Sequence, residues 1–378
     1  MKKRIFVRLL CVALLVVMVI NFSSCAIIVG EIVRNAGDGI GNMGDLIGNI
    51  GDLTGNMDDL LPDSVSWDFD EDTGTLTISG KGKMDDYLWG TDNPPWYEFS
   101  RDIKSVVIEE GITHIGKQAF AGCNSIEDVE IPNSIKSIGT LAFGIYLREF
   151  NFNELDGVCY LGNEENPYLV LATLHFDGYF SSLKTLDIPD STKIILDSAF
   201  SLSSLESINI PANIIYIGTG AFTYCSELES ITVDKDNAFY YSTNNCVIEK
   251  DTKTVIGMCK GSVLPDDGSI KHIEEGMFDS YSGTSVFIPD GVISIGASAF
   301  TSTEVTEISL PASLERLDDV AIYNYNLVIG KTKIIYRGTM AQWKKVKGTG
   351  RQSLNSYEVI CSDGIVTVES ELENPLAS

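Results

Sequence analysis

The stretch ITHIGKQAF, Ile112–Phe120, decides the fold because the chain writes it repeatedly. IKSIGTLAF ends at Phe143, IYIGTGAF at Phe222 and VISIGASAF at Phe300. A shortened copy, IILDSAF, ends at Phe200, and two weaker ones, IKHIEEGMF and LERLDDVAI, end at Phe278 and Ile322. Self-similarity at a fixed period marks a unit that cannot bury its apolar face alone and must stack on its neighbours. The chain therefore reads as a solenoid.

The last residues of these phrases are separated by 23, 57, 22, 56, 22 and 22 positions. Each long gap holds an extra, imperfect repeat plus an inserted element. GVCYLGNEENPYLVLATLHF breaks at Asn163 to Pro167 and NCVIEKDTKTVIGM at Asp251 to Lys253, so hairpin insertions are expected near residues 155–180 and 236–262.

Within a period, Ile126, Val129 and Ile131 lead into an apolar, polar, apolar alternation, the signature of a half-buried strand. It recurs as LDIP, INIP, ITVD, VFIP and ISLP. Proline cannot donate to a ladder, so Pro132, Pro189, Pro211, Pro289 and Pro311 should close these strands and turn the chain. In the IGxxAF phrase the apolar residues stand three or four apart. That spacing predicts a second short extended piece and then one turn of helix carrying Ala and Phe inward.

Units of the form IGxxAFxxCxxLxxIxIP resemble those of the BspA-like leucine-rich-repeat surface proteins of gut and oral bacteria. The resemblance spans roughly Val65 to Gly364 and matches best around Gly116, Gly139, Gly218 and Gly296, while Leu196, Met277 and Ile322 depart from it. It implies a β-rich leucine-rich-repeat solenoid of the α/β horseshoe type, with a strand and a short helical turn in each 22–23-residue repeat and β-hairpin caps. It also implies an extracytoplasmic location and, as in some relatives, adhesion to host proteins. The expected organisation is a lipoprotein signal peptide (1–24), a Gly/Asn/Asp heptad linker (25–64), an N-terminal β cap (65–104), the solenoid (105–330), a C-terminal cap around IIYRGTMAQWKKV (331–364) and a tail (365–378).

MKKRIFVRLLCVALLVVMVINFSSC joins a basic start to an apolar run, as a secretory signal does, and its end resembles a lipoprotein box with Cys25 as the acylated residue. The expectation is export and anchoring to the cell envelope through lipid on Cys25. GNMGDLI, GNIGDLT and GNMDDLL follow, with Met43, Leu46, Ile50, Leu53, Met57 and Leu60 alternately three and four apart. That is the seam of an amphipathic helix, but Gly44, Gly48, Gly51 and Gly55 each cost about 0.8–1 kcal/mol in one. A flexible stalk and a helix formed on a membrane or partner both remain open. Gly39, Gly41 and Gly44 spell GxGxxG without a preceding strand, which gives nucleotide binding little support.

The 378 residues are 44% hydrophobic and carry a formal charge of −26, which becomes −30 once Lys2, Lys3, Arg4 and Arg8 leave with the acid-free leader. Nucleic-acid binding needs a basic patch, and the repeats supply none. Direct docking on anionic lipid is disfavoured for the same reason, so the membrane is contacted through the N-terminal lipid only. Of the eight cysteines, Cys123 and Cys225 share a repeat slot that suits a small buried hydrophobe. The pairing of Cys159, Cys246, Cys259 and Cys361 is left open. No CxxC occurs, and neither a metal site nor a cofactor is expected.

His114 and His272 fill a slot held elsewhere by Ser137, Tyr216 and Ser294, which marks a surface position of the repeat, and His175 has no identifiable partner. No nucleophile and base are juxtaposed, so no catalytic residue is assigned. WDFDEDTGTLTISG has the acids of a calcium loop, but Gly74 falls one place late and Ser79 stands where a bidentate Glu is needed. A hairpin covering the first coil accounts for it better. Two candidate binding surfaces remain. One is the outward row of the strands, Glu130, Asp187, Asn209, Thr232, Phe287 and Ser309, expected to stack into one ribbon. The other is the insertions, with Tyr160, Tyr168, Tyr240 and Tyr241. The function expected is non-catalytic binding of, or adhesion to, a protein or glycan. A glycan-acting enzyme or glycan-binding accessory protein and a structural envelope spacer are the alternatives. A deep pocket holding acids with displaced pKa values would favour the enzyme.

Overall fold

The computed structural model describes residues 64–366, apart from 89, 145–149, 175–181, 280, 282, 302, 323–331 and 349–357. The leader, Cys25, the heptads, His175 and the tail from 367 lie outside the described residues.

Each regular coil supplies one strand to each of two ladders. Ser105–Ile108, Asp128–Glu130, Ser207–Ile210, Ser230–Val233, Ser285–Phe287, Glu307–Leu310 and Lys333–Tyr336 belong to the first ladder. Ile112–Ile115, Ser137–Ile138, Ile194–Ile195, Tyr216–Ile217, His272–Ile273, Ser294–Ile295 and Arg316–Leu317 belong to the second. Neighbouring strands pair in parallel, one repeat apart: Ile208 lies opposite Ile231, and Ile273 opposite Ile295. Pro132, Pro211, Pro289 and Pro311 follow first-ladder strands, whereas the LDIP segment before Pro189 forms no strand; the carbonyls of all five accept a turn bond from the residue three places on.

Among the described residues the helical turn expected after the second strand does not form, and the repeats show a β-solenoid rather than an α/β horseshoe. Gln118, Leu141, Ser198, Gly220, Gly276, Ser298 and Val320, all in one repeat slot, have φ of 54, 55, 55, 66, 64, 53 and 43°. A left-handed residue cannot continue a right-handed helix. The amides also bond outward: Phe120, Phe200, Phe278 and Phe300 donate to the carbonyls of Ala142, Ala221, Ala299 and Ala321 in the next coil. A tight turn bonded across coils carries Ala and Phe inward as well as a helix would, so the spacing alone did not separate the two. Among the described residues α-helix is confined to Met340–Trp343, begun by a Thr339/Gln342 capping box.

The phrase-ending rings stack through the core. Trp96 lies 5.4 Å from Phe120, which lies 5.6 Å from Phe143, and the pairs Phe200–Phe222 and Phe278–Phe300 are 5.3 and 4.3 Å apart. At the start, Thr75–Lys83 pairs with Ser105–Ile108 through Thr75–Ile78 and with Ile112 and His114 through Gly82 and Lys83, covering both ladders with one strand. Ser64–Asp70 pairs with it in turn. At the other end Val359–Cys361 adds to Lys333–Tyr336, Gly364–Val366 folds back antiparallel, and Trp343 is buried against Tyr336.

Each long gap contains a three-stranded antiparallel meander. One comprises Asn153–Leu155, Val158–Leu161 and Val170–Thr173, the other Tyr240–Thr243, Cys246–Glu249 and Thr254–Met258. Two-residue turns at Asp156–Gly157 and Asn244–Asn245 have positive φ at both positions, the geometry that matches strand twist. Both meanders carry a register shift in the middle strand, after Cys159 and after Val247. The third strand of each then joins the second ladder in parallel, Leu171 opposite Ile195 and Val255 opposite Ile273. A meander thus replaces one coil. Gly257 is what permits it: a Cβ there would stand 2.7 Å from the Phe222 ring.

Candidate interaction surfaces

The outward row of the first ladder is built by register. Glu130 lies opposite Val107, Asn209 opposite Thr232, and Phe287 opposite Ser309, which lies opposite Ile335 and then Ile360. These are separate blocks and not one ribbon, because the pairing is interrupted at the insertions. Asp187 is exposed but sits in an irregular segment outside the strands. Asn209 accepts a bond from Thr232 at 2.9 Å. The third block is held by Arg337, which the sequence did not single out. Its guanidinium lies 4.1 Å over the Phe287 ring and donates to Ser309 Oγ at 2.8 Å, to the Ile288 carbonyl at 2.6 Å and to Asp290 at 2.9 Å. A half-exposed aromatic ring is thereby fixed in place under a cation.

The meander tyrosines divide. Tyr160 and Tyr240 are buried at 1% and 2% exposure, so they are core residues and not ligand contacts. Tyr240 uses its hydroxyl to accept from the Ile217 amide at 3.0 Å, tying the meander to the coil before it. Val158–Leu161 is covered on both faces and hides every side chain, Tyr160 included, which the hairpin reading did not foresee. Tyr168, edge-on to Tyr160 at 5.3 Å, and Tyr241 are partly exposed.

In the second ladder His114 Nδ1 lies 2.8 Å from Ser137 Oγ, and Asp86 lies 3.6 Å from the ring's Nε2. The acid, imidazole and hydroxyl are in sequence, but the same His–Ser contact recurs at His272 and Ser294, 2.7 Å apart. Recurrence in one slot marks it as cross-coil packing of the ladder. Among the described residues Cys123, Cys225, Cys246, Cys259 and Cys361 are free thiols, and they and Cys159 are buried.

A groove of about 510 Å³ lies along the turns that follow the second ladder, lined by Thr219, Glu274, Glu275, Arg316, Asp318 and Asp319 among others. Glu274 occupies the slot of Gly116, Gly139, Gly218 and Gly296. At the glycines of that slot the preceding coil's turn lies close, so that a Cβ at Gly139, Gly218 or Gly296 would come within 2.5, 2.4 or 2.6 Å of backbone nitrogen, although Asp318 fills the same slot after a regular coil. Leu196 and Glu274 each follow a meander, whose strand leaves room for a side chain. Burial pushes the Glu274 carboxyl up to about 8, against the pull of a hydrogen bond from the Gly220 amide. Burial likewise raises Glu275 and Asp197. Glu274 was legible only as a break in the glycine pattern.

The BspA-type leucine-rich repeat region matches in six copies over residues 96–158, 175–258 and 263–335, more than half of the sequence, and the chain belongs to that family. No curated protein matches it. Among solved structures, a leucine-rich repeat protein from Eubacterium ventriosum is 23% identical, with a TM-score of 0.33 over 75% of this chain. This chain spans 65% of that protein's length. A leucine-rich cell surface protein from Faecalibacterium prausnitzii is 21% identical, covering 75% of this chain and 96% of that one with a TM-score of 0.29. A leucine-rich repeat protein from Bacteroides ovatus is 18% identical over 80% and 71% of the two chains, with a TM-score of 0.32.

Proposed function

We propose that this protein is an exported, lipid-anchored cell-surface repeat protein that binds a protein or glycan, without catalysis, through the outward blocks of its first ladder. The observation that carries this reading is the third block. Phe287 is 52% exposed, clamped by Arg337, and continues through Ser309 into Ile335 and Ile360. A rigid aromatic with fixed polar neighbours loses little entropy on binding, which is how contact residues concentrate affinity. The acidic charge argues against nucleic acid and leaves the membrane to lipid on Cys25.

Arrays of matrix proteins and glycans test the binding claim. At least one ligand should be retained by the wild type and weakened about tenfold or more by Phe287→Ala, since hot-spot truncations cost about 2 kcal/mol or more. Silence across the arrays would leave the spacer reading in possession. Fractionation of Cys25→Ser tests the anchor: the variant should leave the membrane fraction, and an unchanged distribution would rule the anchor out.

The glycan-acting enzyme is the second reading, favoured by the raised carboxyls of Glu274 and Glu275 in one groove. Against it, the groove lining contains no aromatic platform for a sugar ring, and Glu274 Oε2 is buried. Hydrolysis of any arrayed glycan, abolished by Glu274→Gln, would establish it.

A further inference from the structure

Ser64–Asp70 is the outermost strand at the N-terminal end of the solenoid. It pairs with Thr75–Lys83 on one side, and among the described residues nothing pairs with it on the other. An open edge of seven residues is a template for another chain. Six of the seven are exposed, and Phe69 is half-buried. Alternation puts Val65, Trp67 and Phe69 on one face and Ser64, Ser66, Asp68 and Asp70 on the other. The first face is seated on Phe99, 4.8 Å from the Phe69 ring and 6.2 Å from that of Trp67, while Trp96 stands 6.3 Å from Trp67. Held in this way, Trp67 remains 37% exposed and Val65 36%. On the second face Ser66 Oγ meets Ser79 Oγ at 2.9 Å. The strand is thus fixed while its outer edge stays open.

We propose that this edge pairs with the same edge of a second copy of the chain, antiparallel about a two-fold axis at Trp67. The pattern of the strand argues for that occupant. Trp67 is its middle residue, so a two-fold there uses every position: Trp67 meets its own copy, Val65 meets Phe69, Ser66 meets Asp68 and Ser64 meets Asp70. Apolar stands opposite apolar, and each acid stands opposite a hydroxyl that can donate to it. The neighbouring two-fold registers are worse. An axis at Asp68 sets acid against acid, and an axis at Ser66 leaves Phe69 and Asp70 beyond the end of the opposing strand.

Each copy carries a formal charge of −26, so the seam forms by backbone bonds and apolar pairs against a general repulsion that salt screens. A two-fold contact consumes the edge on both copies, and association stops at two. The proposal goes beyond the binding reading and shares no residue with it.

The test uses the Cys25→Ser chain, in which every described cysteine is buried. New cysteines on this edge form a disulfide only where their Cβ atoms stand directly opposite, because diagonal neighbours are too far apart. Under mild oxidation an equal mixture of Ser66→Cys and Asp68→Cys chains should give at least about fivefold more cross-linked dimer than either chain alone. Without new cysteines, sedimentation equilibrium should approach twice the monomer mass and stop there, with dissociation falling as salt rises from about 0.05 to 0.5 M. Ser66→Asp is an exposed change that sets acid against Asp68 twice per dimer. It should weaken the pair about threefold or more, and Asp68→Lys added to it should restore association. A strictly monomeric chain would leave the edge to an unlike protein or to solvent and overturn the proposal. So would cross-linking no greater in the mixture than in the single variants, growth beyond a pair, or association that salt weakens or that is indifferent to Ser66→Asp. Phe287→Ala should leave all of these results unchanged, so the two readings fail separately.

Discussion

Glu274 fixes a sign for the pH dependence of stability. Its carboxyl rises from 4.5 to about 8 on folding, chiefly through burial. Between those values the folded chain holds a proton that the unfolded chain has released, so the stabilisation is complete below pH 4.5 and is lost as pH rises through 8. Denaturant melts at pH 5 and pH 8 should show this loss, with a slope from this group of at most about 1.4 kcal/mol per pH unit, and Glu274→Gln should flatten it. Asp86 acts oppositely, since the Lys117 amide lowers it, and its contribution fades in acid. The cysteines make a second prediction at this scale. Burial pushes Cys123 and Cys246 up to about 12 and Cys225 to about 11. Thiolate is the reactive form, so peptide mapping after treatment with a thiol reagent at pH 8 should find all six of the described cysteines unmodified in native protein and modified in guanidinium. Rapid native labelling of any one would contradict its place in the core. Cys123 and Cys225 were legible as core from their shared slot. The other four were not: Cys159, Cys246 and Cys259 lie in or beside the meanders and Cys361 in the C-terminal cap, where no repeat register can be read.

Among the elements, the third strands of the meanders explain both a success and a failure of sequence reading. The spacing of 57 and 56 located the insertions, and period-two alternation located the first-ladder strands. It did not reveal that an inserted strand takes a coil's place in the second ladder, since Gly257 looks like any strand glycine until Phe222 is seen against it. Gly257→Val should clash with that ring and cost about 1–3 kcal/mol, as overpacking does. Phe222→Ala should cost about 3–5 kcal/mol. Phe222→Leu combined with Gly257→Ala should cost less than the sum of the two single changes, measured by a double-mutant cycle, because the two sites share one contact. Strict additivity would place the glycine and the ring apart. The turn after the second ladder makes a related point. Spacing of three and four was read as helix, yet the left-handed slot from Gln118 to Val320 sends the amides to the next coil. Handedness of a single residue is not written in apolar periodicity.

For the whole solenoid, the ends decide solubility. The first coil is closed by Thr75–Lys83, which bends across both ladders. Trp96 closes the ring stack over Phe120 at 5.4 Å, and its indole N–H donates to the Ala119 carbonyl at 3.0 Å. Removing residues through Lys104 would expose two strand edges and the Phe120 face together. Unpaired edges recruit other edges, and repeat arrays need a polar terminal unit to remain soluble. The truncated chain should therefore form oligomers or aggregate in sizing with light scattering, at concentrations where a chain retaining residues from Ser64 onward keeps its mass. Trp96→Ala in the longer chain separates the two causes: it opens the ring stack and leaves the strand edges paired. The expected result is a loss of about 3–5 kcal/mol with no change in mass. Should Trp96→Ala assemble as the truncation does, the exposed core face and not the unpaired edge would be the source of association.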